Sequence, residues 1–156
     1  SYCIEENEKA GVFYPEKAKE LGVPEGKLWQ ELQNGNSVEI NGKRINSLQV
    51  TGEKRPGKKI GISGDTRPTK KLQNFFVNSD YLSFDCTFSF DLKDRAIETN
   101  HSTAKEAAEL AKNSSVKNLI LTHFSARYSD ESVLLNEAKQ VFESVIAAKD
   151  LLEIEI

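Results

Sequence analysis

Apolar and polar positions follow different periodicities in two parts of the chain. From residue 58 onward, short apolar runs alternate with stretches whose apolar residues recur every three or four positions, which predicts a layered core of strands and helices. The predicted strands cover residues 60–62, 81–84, 116–122 and 145–148, with a closing extended segment at 151–156. The predicted helices cover residues 70–77, a stretch opened by the capping box of Thr103 and Glu106, and residues 133–142.

The first third of the chain has no long apolar strand and predicts two short helices and a hairpin. Pro15 suits the first turn of one helix, and the second covers residues 28–32. Asn41-Gly42 lies between two short alternating runs and predicts a type I′ turn. We expect Trp29 to hold the two helices together rather than to contact a ligand.

Composition excludes several classes of protein. The chain has 156 residues, of which 38% are apolar, enough to bury a sizeable core. Its apolar runs fall far short of the roughly 20 residues of a membrane span, and its start lacks a secretion signal, so we expect a cytoplasmic protein with no membrane partner. Cys3 and Cys86 show no metal or redox spacing, which suits reduced thiols. The chain contains no Met, so we expect either a removed initiator or a piece of a longer protein.

Charge is unevenly distributed. The net charge of −3 argues against a general nucleic-acid binder, yet seven basic residues lie between Lys54 and Lys71, with Asp65 the only acidic residue among them. This basic segment is either a patch that faces an anion or the solvated ends of a strand and a helix.

Polar residues with useful chemistry follow the predicted strands. Asp65, Asp85 and His123 each come at or just after the end of a strand, where α/β folds place functional groups. Two carboxylates and an imidazole can hold a cation such as zinc. The alternative is that the aspartates form turns and the histidine donates to a backbone carbonyl.

Two further side chains suit reactions at phosphate. His101 precedes a predicted helix, whose dipole disfavours a positive imidazole and favours a neutral one suited to proton transfer. Arg127 offers a two-pronged donor for a phosphate. The alternatives are a surface histidine beside a helix cap and a salt bridge from Arg127 to Asp130 or Glu131.

Taken in order, four motifs resemble the ribonuclease Z family, the endoribonucleases of metallo-β-lactamase fold that mature the 3′ end of transfer RNA. The motifs are Ser63-Gly64-Asp65-Thr66-Arg67, Asp85-Cys86-Thr87-Phe88, His101-Ser102-Thr103 and Leu121-Thr122-His123-Phe124-Ser125-Ala126-Arg127-Tyr128. The resemblance is to the C-terminal half of that family and covers essentially the whole chain.

The resemblance implies an α/β fold that forms the C-terminal half of an αββα sandwich. Residues 1–5 would be a core strand. Residues 6–56 would form a protruding arm of helices and a hairpin, the exosite that grips transfer RNA. Residues 57–156 would form the rest of this half of the core.

The same resemblance assigns the metal and catalytic residues. Asp65 would bridge two zinc ions, and His123 would be a terminal zinc ligand. His101 would donate a proton to the leaving 3′ oxygen, oriented by Asp85. The family often has glutamate where this chain has Asp85, so we expect the shorter side chain to reach His101 less directly.

The substrate contacts also follow from the resemblance. Ser125, Arg127 and Thr66 would hold the phosphate near the scissile bond. Gly26 and Lys27 stand where the arm of the family has a Gly-Pro near its tip, and would contact transfer RNA. In the family, the arm of one subunit serves the active site of its partner, so the resemblance implies a homodimer.

One motif of the family is absent. The chain has two histidines and lacks the His-x-His-x-Asp-His motif that supplies most zinc ligands, so it cannot complete two zinc sites. We therefore expect a C-terminal fragment that is inactive alone, needs the missing N-terminal half of the same enzyme, and exposes an apolar sheet face.

The functional prediction is a zinc-dependent endoribonuclease that cleaves precursor transfer RNA at its 3′ end and removes the trailer. The first alternative is a non-catalytic RNA-binding module that uses the arm and the basic segment. The second is a phosphodiesterase of the same fold that acts on small esters.

Overall fold

Two units of the chain have separate hydrophobic cores. The computed structural model describes all 156 residues and divides into a smaller unit, Glu6–Gly57, and a larger unit that combines Ser1–Glu5 with Lys58–Ile156. The smaller unit is therefore inserted in sequence between the first strand of the larger unit and the remainder of it. We call residues 6–57 the insert.

Short helices and a hairpin make up the insert. Helices α1 (Pro15–Glu20) and α2 (Lys27–Gln33) precede strands β2 (Val38–Ile40) and β3 (Lys43–Ile45), and a 3-10 turn covers Ser47–Gln49. Pro15 occupies the first helical position, where its missing N–H costs no hydrogen bond. Both predicted helices and the predicted hairpin are confirmed.

Local chemistry explains the turn and the packing of the insert. Asn41 and Gly42 have φ angles of 52° and 75°, and a type I′ turn requires positive values at both positions. The indole N–H of Trp29 donates to the carbonyl of Val23 at 3.0 Å, and its ring centroid lies 5.2 Å from that of Phe13. Trp29 thus ties α2 to the segment after α1, and its predicted structural role is confirmed.

A five-stranded sheet forms the centre of the larger unit, in the order β1-β4-β5-β6-β7. Its strands are β1 (Tyr2–Glu5), β4 (Lys59–Ile62), β5 (Tyr81–Asp85), β6 (Asn118–Thr122) and β7 (Val145–Ala147). Strand β1 pairs antiparallel with β4, and all other neighbours are parallel. The parallel strands therefore end at a common edge of the sheet.

Helices connect the parallel strands, as such crossovers require. They are α3 (Lys70–Phe75), α4 (Lys93–Glu98), α5 (Ala104–Asn113) and α6 (Ser132–Lys139), with a 3-10 turn at Phe90–Leu92. The predicted capping box of α5 is present: the hydroxyl of Thr103 accepts from the amide of Glu106 at 3.3 Å, and the Glu106 carboxylate accepts from the amide of Thr103 at 3.1 Å.

One face of the sheet packs against helices. Leu82, Phe84, Leu119 and Leu121 are wholly buried there, together with four small residues of α5. Each such large side chain contributes about 1.5–3 kcal/mol of hydrophobic stabilisation. The small α5 residues are Ala104, Ala107, Ala108 and Ala111.

The opposite face keeps apolar side chains in solvent. Tyr2 is paired in register with Ile62, and Ile4 with Ile60, so these side chains share one face of the sheet. Tyr2, Ile4 and Ile62 are 74%, 58% and 39% exposed. The expected exposed apolar sheet face is confirmed, and such a face marks a surface suited to packing against another element.

Several predicted boundaries were wrong. The predicted helices at 70–77 and 133–142 are shorter, and the strand predicted at 116–122 begins at Asn118. Residues 151–156 form no strand, because Leu151 has a φ of 64° in a turn closed by a hydrogen bond from the Leu152 amide to the Lys149 carbonyl. Helix α4 was not predicted. No helix of the structure combines the length and apolar character needed to cross a membrane.

Candidate metal centre

The carboxyl edge of the sheet brings together side chains that are distant in sequence. Asp65 follows β4, Asp85 ends β5, His123 follows β6, and His101 precedes α5. One potential ligand atom from each of Asp65, His101 and His123 lies within 4.8 Å of the others. The sequence-predicted group of residues is therefore a spatial cluster, which we call the Asp-His-His cluster.

Asp65 and His123 form the exposed side of the cluster. The His123 Nε2 and the Asp65 Oδ2 are 3.3 Å apart, with side chains 45% and 61% exposed. Gly64 has a φ of 64°, which turns the chain sharply just before Asp65. His123 has a φ of 62°, an uncommon value for a non-glycine residue. The local backbone thus presents both side chains at the rim.

Asp85 is buried beneath the cluster, and its carboxylate accepts several hydrogen bonds. Its Oδ1 accepts from the amide of Thr87 at 3.0 Å and the hydroxyl of Thr87 at 2.7 Å. Its Oδ2 accepts from the amide of Thr66 at 2.9 Å and contacts His101 Nδ1 at 2.8 Å. The expectation that Asp85 reaches His101 less directly was wrong, because the loop before α5 brings the imidazole into direct hydrogen-bond contact.

The His101 ring is fixed on several sides. It stacks on the His123 ring with centroids 4.9 Å apart and planes 17° apart, and Phe88 meets it edge-on at 6.3 Å. Since a carboxylate can only accept, the Asp85 contact makes His101 Nδ1 the protonated donor. His101 Nε2 remains available for a proton or a metal.

Arg67 holds the backbone of His101 from behind. Its guanidinium donates to the His101 carbonyl at 2.6 Å and forms a two-pronged ion pair with Glu106. Burial raises the pKa of Glu106, but the Arg67 guanidinium and the Thr103 amide and hydroxyl outweigh it and hold the pKa below its ordinary value. Arg67 therefore fits neither alternative for the basic segment, because its charge is paired with Glu106 inside the fold.

The predicted phosphate-binding residues lie in two loops. The amide of Thr66 is used by Asp85, and its hydroxyl donates to the Arg67 carbonyl at 3.1 Å. Arg127 Nε donates to the Ser125 hydroxyl at 3.0 Å, and its guanidinium lies 4.9 Å from the Phe88 ring centroid. The exposed Arg127 remains able to contact a phosphate.

The alternative salt bridge of Arg127 does not form. Asp130 instead accepts from the hydroxyl and amide of Ser132, which lower the pKa of this exposed carboxyl. Ser125 borders an open depression that also includes His123, Tyr128 and Lys149. A phosphate group could enter this depression from solvent.

Gly26 and Lys27 lie in the insert, at the start of α2. Gly26 has a φ of 126° and space around its Cα for a side chain, and both residues are exposed. Their proposed contact with transfer RNA remains a prediction.

Sequence reasoning missed two connecting side chains. Thr87 joins Asp85 to His123, whose Nδ1 lies 2.8 Å from the Thr87 hydroxyl. The Tyr128 hydroxyl accepts from the amide of Ser89 at 2.8 Å and so joins the loops after β5 and β6. The spacing of Thr87 two residues after Asp85 was a usable signal, because short polar side chains at that spacing often bond to each other or to the intervening backbone.

The donor set fits a metal ion in part. Imidazole nitrogen and carboxylate oxygen are both zinc ligands, and Asp65 with His123 would supply one of each. The imidazole of His123 is already hydrogen-bonded through Nδ1, as is usual for metal-binding histidines. A zinc site takes about four ligands, so the three residues of this cluster would not complete one such site by themselves.

Comparisons with solved structures identify the fold. The chain aligns with a metallo-β-lactamase fold protein of Bacillus subtilis at 28% identity and a TM-score of 0.55, covering 59% of this chain and 37% of that one. It aligns with human tRNase Z, short form, at 29% identity and a TM-score of 0.52, covering 72% and 36%. The protein therefore has part of a metallo-β-lactamase fold, which implies a metal cofactor. No known family profile matches the chain.

Curated relatives show which proteins of the metallo-β-lactamase fold this chain is similar to in sequence. The chain is 64% identical to the ribonuclease Z of Nitrosopumilus maritimus over all 156 residues, and 51% identical to that of Archaeoglobus fulgidus over 99% of its length. It spans about half the length of these relatives, 52% and 51%. The chain is thus homologous along its whole length to about half of ribonuclease Z, and the resemblance inferred from its four motifs is confirmed.

Proposed function

We propose that this chain supplies the C-terminal half of a transfer RNA 3′-processing endoribonuclease. The observation that carries the proposal is the Asp-His-His cluster above the buried Asp85, in a chain 64% identical to a ribonuclease Z. The substrate is precursor transfer RNA, and the reaction hydrolyses one phosphodiester bond to release the 3′ trailer.

Asp65 and His123 would hold zinc in the complete enzyme. When bound, a zinc pair supplies a nucleophile from water at neutral pH and neutralises charge on the phosphate. The 3.3 Å separation of His123 Nε2 and Asp65 Oδ2 supports the two side chains as joint ligands, and Asp65 would contribute to holding both ions. Further ligands must come from residues other than these, so the chain is inactive alone and acts with the N-terminal half of the same enzyme.

His101 would act as the general acid. Asp85 holds its Nδ1, which leaves Nε2 to carry the proton that passes to the departing 3′ oxygen. Arg127, Ser125 and Thr66 would contact the phosphate on either side of the scissile bond. An imidazole in this role contributes about 10²- to 10⁴-fold to the rate.

The insert would grip the body of transfer RNA, with Gly26 and Lys27 among its contacts. In a homodimer, the insert of one subunit would serve the active site of its partner. The cytoplasm, where precursor transfer RNA is processed, is the proposed location.

A chimera tests the catalytic assignment. The chain replaces the matching 52% of the Nitrosopumilus maritimus relative, and cleavage of precursor transfer RNA is measured for the chimera and for the isolated chain. We expect cleavage at the 3′ end by the chimera only. His101→Ala should lower kcat by about 10²- to 10⁴-fold with little change in KM.

The matched control is Glu109→Ala, on the exposed side of the helix that follows His101, which should leave kcat unchanged. Rapid cleavage by the isolated chain, or a His101→Ala variant altered only in KM, would contradict the proposal.

A deletion separates transfer RNA processing from small-ester hydrolysis. Glu5 and Lys59 are paired in register, so a short glycine-serine turn can replace residues 6–56 without stretching the sheet. The deleted chimera should lose transfer RNA cleavage and retain hydrolysis of bis(p-nitrophenyl) phosphate. Undiminished transfer RNA cleavage would exclude the proposed grip.

A further inference from the structure

Thr87 lies between the buried carboxylate and the outer histidine of the cluster. Its hydroxyl is 2.7 Å from Asp85 Oδ1 and 2.8 Å from His123 Nδ1, and the residue is only 6% exposed. The direct separation of Asp85 Oδ1 and His123 Nδ1 is 4.0 Å, too long for a hydrogen bond. The hydroxyl therefore bridges a gap that the carboxylate cannot span.

Proton counting fixes the direction of this chain of hydrogen bonds. The Asp85 carboxylate is an acceptor, so the single hydroxyl proton of Thr87 is donated to it. The Thr87 oxygen can then only accept from His123, and this requires a proton on His123 Nδ1. A neutral His123 consequently has an unprotonated Nε2. The Asp65 Oδ2 would favour a proton there, but at 3.3 Å it lies beyond the usual hydrogen-bond distance and competes weakly with the 2.8 Å contact at Nδ1.

We propose that Thr87 is a positioning residue that holds His123 in the Nδ1–H tautomer and aims its Nε2 lone pair at the cation position shared with Asp65. The metal part of this statement rests on the proposed function; the tautomer part does not. One carboxylate thereby orients both imidazoles, His101 directly through Oδ2 and His123 indirectly through Oδ1 and Thr87.

The Thr87 hydroxyl also restrains the orientation of the ring of His123, whose backbone has a positive φ of 62°. His123 lies in a loop with this φ, and 45% of its side chain is in solvent, so few contacts hold the imidazole. The Thr87 hydroxyl at 2.8 Å is its shortest polar contact, Asp65 lies farther away at 3.3 Å, and the His101 ring stacks on its face. Removing the hydroxyl should release the tautomer while the stacking remains.

The first test reads the tautomers of the 156-residue chain without metal. Long-range ¹H–¹⁵N spectra, recorded where both imidazoles are neutral, distinguish a protonated from an unprotonated ring nitrogen. In the wild type we expect Nδ1–H for both histidines. Thr87→Val keeps the shape of the side chain and should give His123 a mixture of tautomers, while His101 stays Nδ1–H as the internal control. Thr87→Ser should restore the wild-type spectrum.

A wild-type His123 protonated on Nε2, or a Thr87→Val spectrum identical to wild type, would overturn the proposal. If Thr87→Val fails to fold, the wild-type and Thr87→Ser spectra still decide, because both must show the proton on His123 Nδ1.

The second test measures zinc affinity of the chimera by competition with a chromogenic chelator. Loss of a hydrogen-bond partner of a metal-binding histidine weakens binding by about 10- to 100-fold, and we expect this for Thr87→Val with recovery in Thr87→Ser. Equal affinity of the valine variant and the wild type would overturn the metal part of the proposal. Tautomers that follow the prediction in a chimera that binds no zinc would instead reject the proposed function and leave the tautomer assignment intact.

Discussion

Replacing Arg67 with Ala should destabilise the larger unit because it leaves the buried Glu106 carboxylate without its charged partner. Lost packing should matter less. Glu106 is 7% exposed and charged, and Arg67 supplies both prongs of its ion pair. In Arg67→Ala the carboxylate keeps only the amide and hydroxyl of Thr103, at 3.1 and 3.0 Å. The His101 carbonyl loses its 2.6 Å donor at the same time.

The magnitude follows from burial. Removing one partner of a buried ion pair costs about 3–5 kcal/mol. Because 22% of the Arg67 side chain is exposed and water can partly replace it, we expect the lower end, about 3 kcal/mol. Arg67→Lys keeps the charge without the two-pronged geometry and should cost about half as much, roughly 1.5 kcal/mol.

Urea unfolding of the chain, followed by amide signals of α5, measures this loss within the larger unit. Glu106→Gln preserves a capping-box side chain and removes the charge, so Arg67→Ala should cost much less in that background. The losses of unfolding free energy in Arg67→Ala and Glu106→Gln are compared with the loss in the double variant. If the single losses sum to the double loss within about 0.5 kcal/mol, the residues are not coupled and the reasoning fails.

The loss also has a defined pH dependence. The folded pKa of Glu106 is lowered, so the pair stabilises the fold above the ordinary glutamate pKa of about 4.3, and this stabilisation disappears as pH falls through the lowered pKa. The penalty of Arg67→Ala should therefore shrink in acid. A penalty that grows in acid would contradict this sign.

Three further predictions concern single side chains. The Lys117 ammonium lowers the pKa of Asp80, so Asp80→Asn should cost about 1–2 kcal/mol at neutral pH and nothing in strong acid, as measured by urea unfolding at a series of pH values. A Cβ on Gly61 would lie 2.5 Å from the Phe76 ring, so Gly61→Ala should lower the free energy of unfolding by about 1–3 kcal/mol; an unchanged value would contradict the packing. Asp65→Asn in the chimera should weaken zinc binding by more than about tenfold, measured by chelator competition, and equal affinity would exclude Asp65 as a ligand.

Local signals in the sequence predicted most elements. Asn41-Gly42 requires positive φ at both positions, and Thr103 with Glu106 forms a reciprocal cap, so short-range chemistry alone determined the hairpin and the start of α5. Ends were less predictable. Residues 151–156 are apolar enough for a strand, but Leu151 adopts a positive φ in a turn and the segment forms no strand.

The positions of site residues that follow parallel strands could be predicted from the sequence. Contacts between side chains that are distant in sequence could not. Asp65 and His123 follow parallel strands, so their proximity follows from topology. Arg67 and Glu106 are 39 residues apart, and nothing near Arg67 in sequence indicates that its charge is used internally. The spacing of Thr87 two residues after Asp85 indicates a local bond to that carboxylate, whereas its contact with His123, 36 residues away, depends on the fold.

The insertion of residues 6–57 between β1 and β4 bears on the order in which the chain folds. Pairing β1 with β4 closes a loop of about 50 residues, and each doubling of loop length adds about 0.6 kcal/mol to the entropic cost of closure. Within the insert, Lys9 and Arg55 already exchange two backbone hydrogen bonds of 2.9 Å, which hold its two ends side by side. An insert that folds first, around its own hydrophobic cluster, would shorten the effective loop about eightfold and lower the barrier to β1–β4 pairing by about 2 kcal/mol. The edge strand of the sheet would then assemble late, and its rate would depend on the stability of a segment that contributes no strand to that sheet.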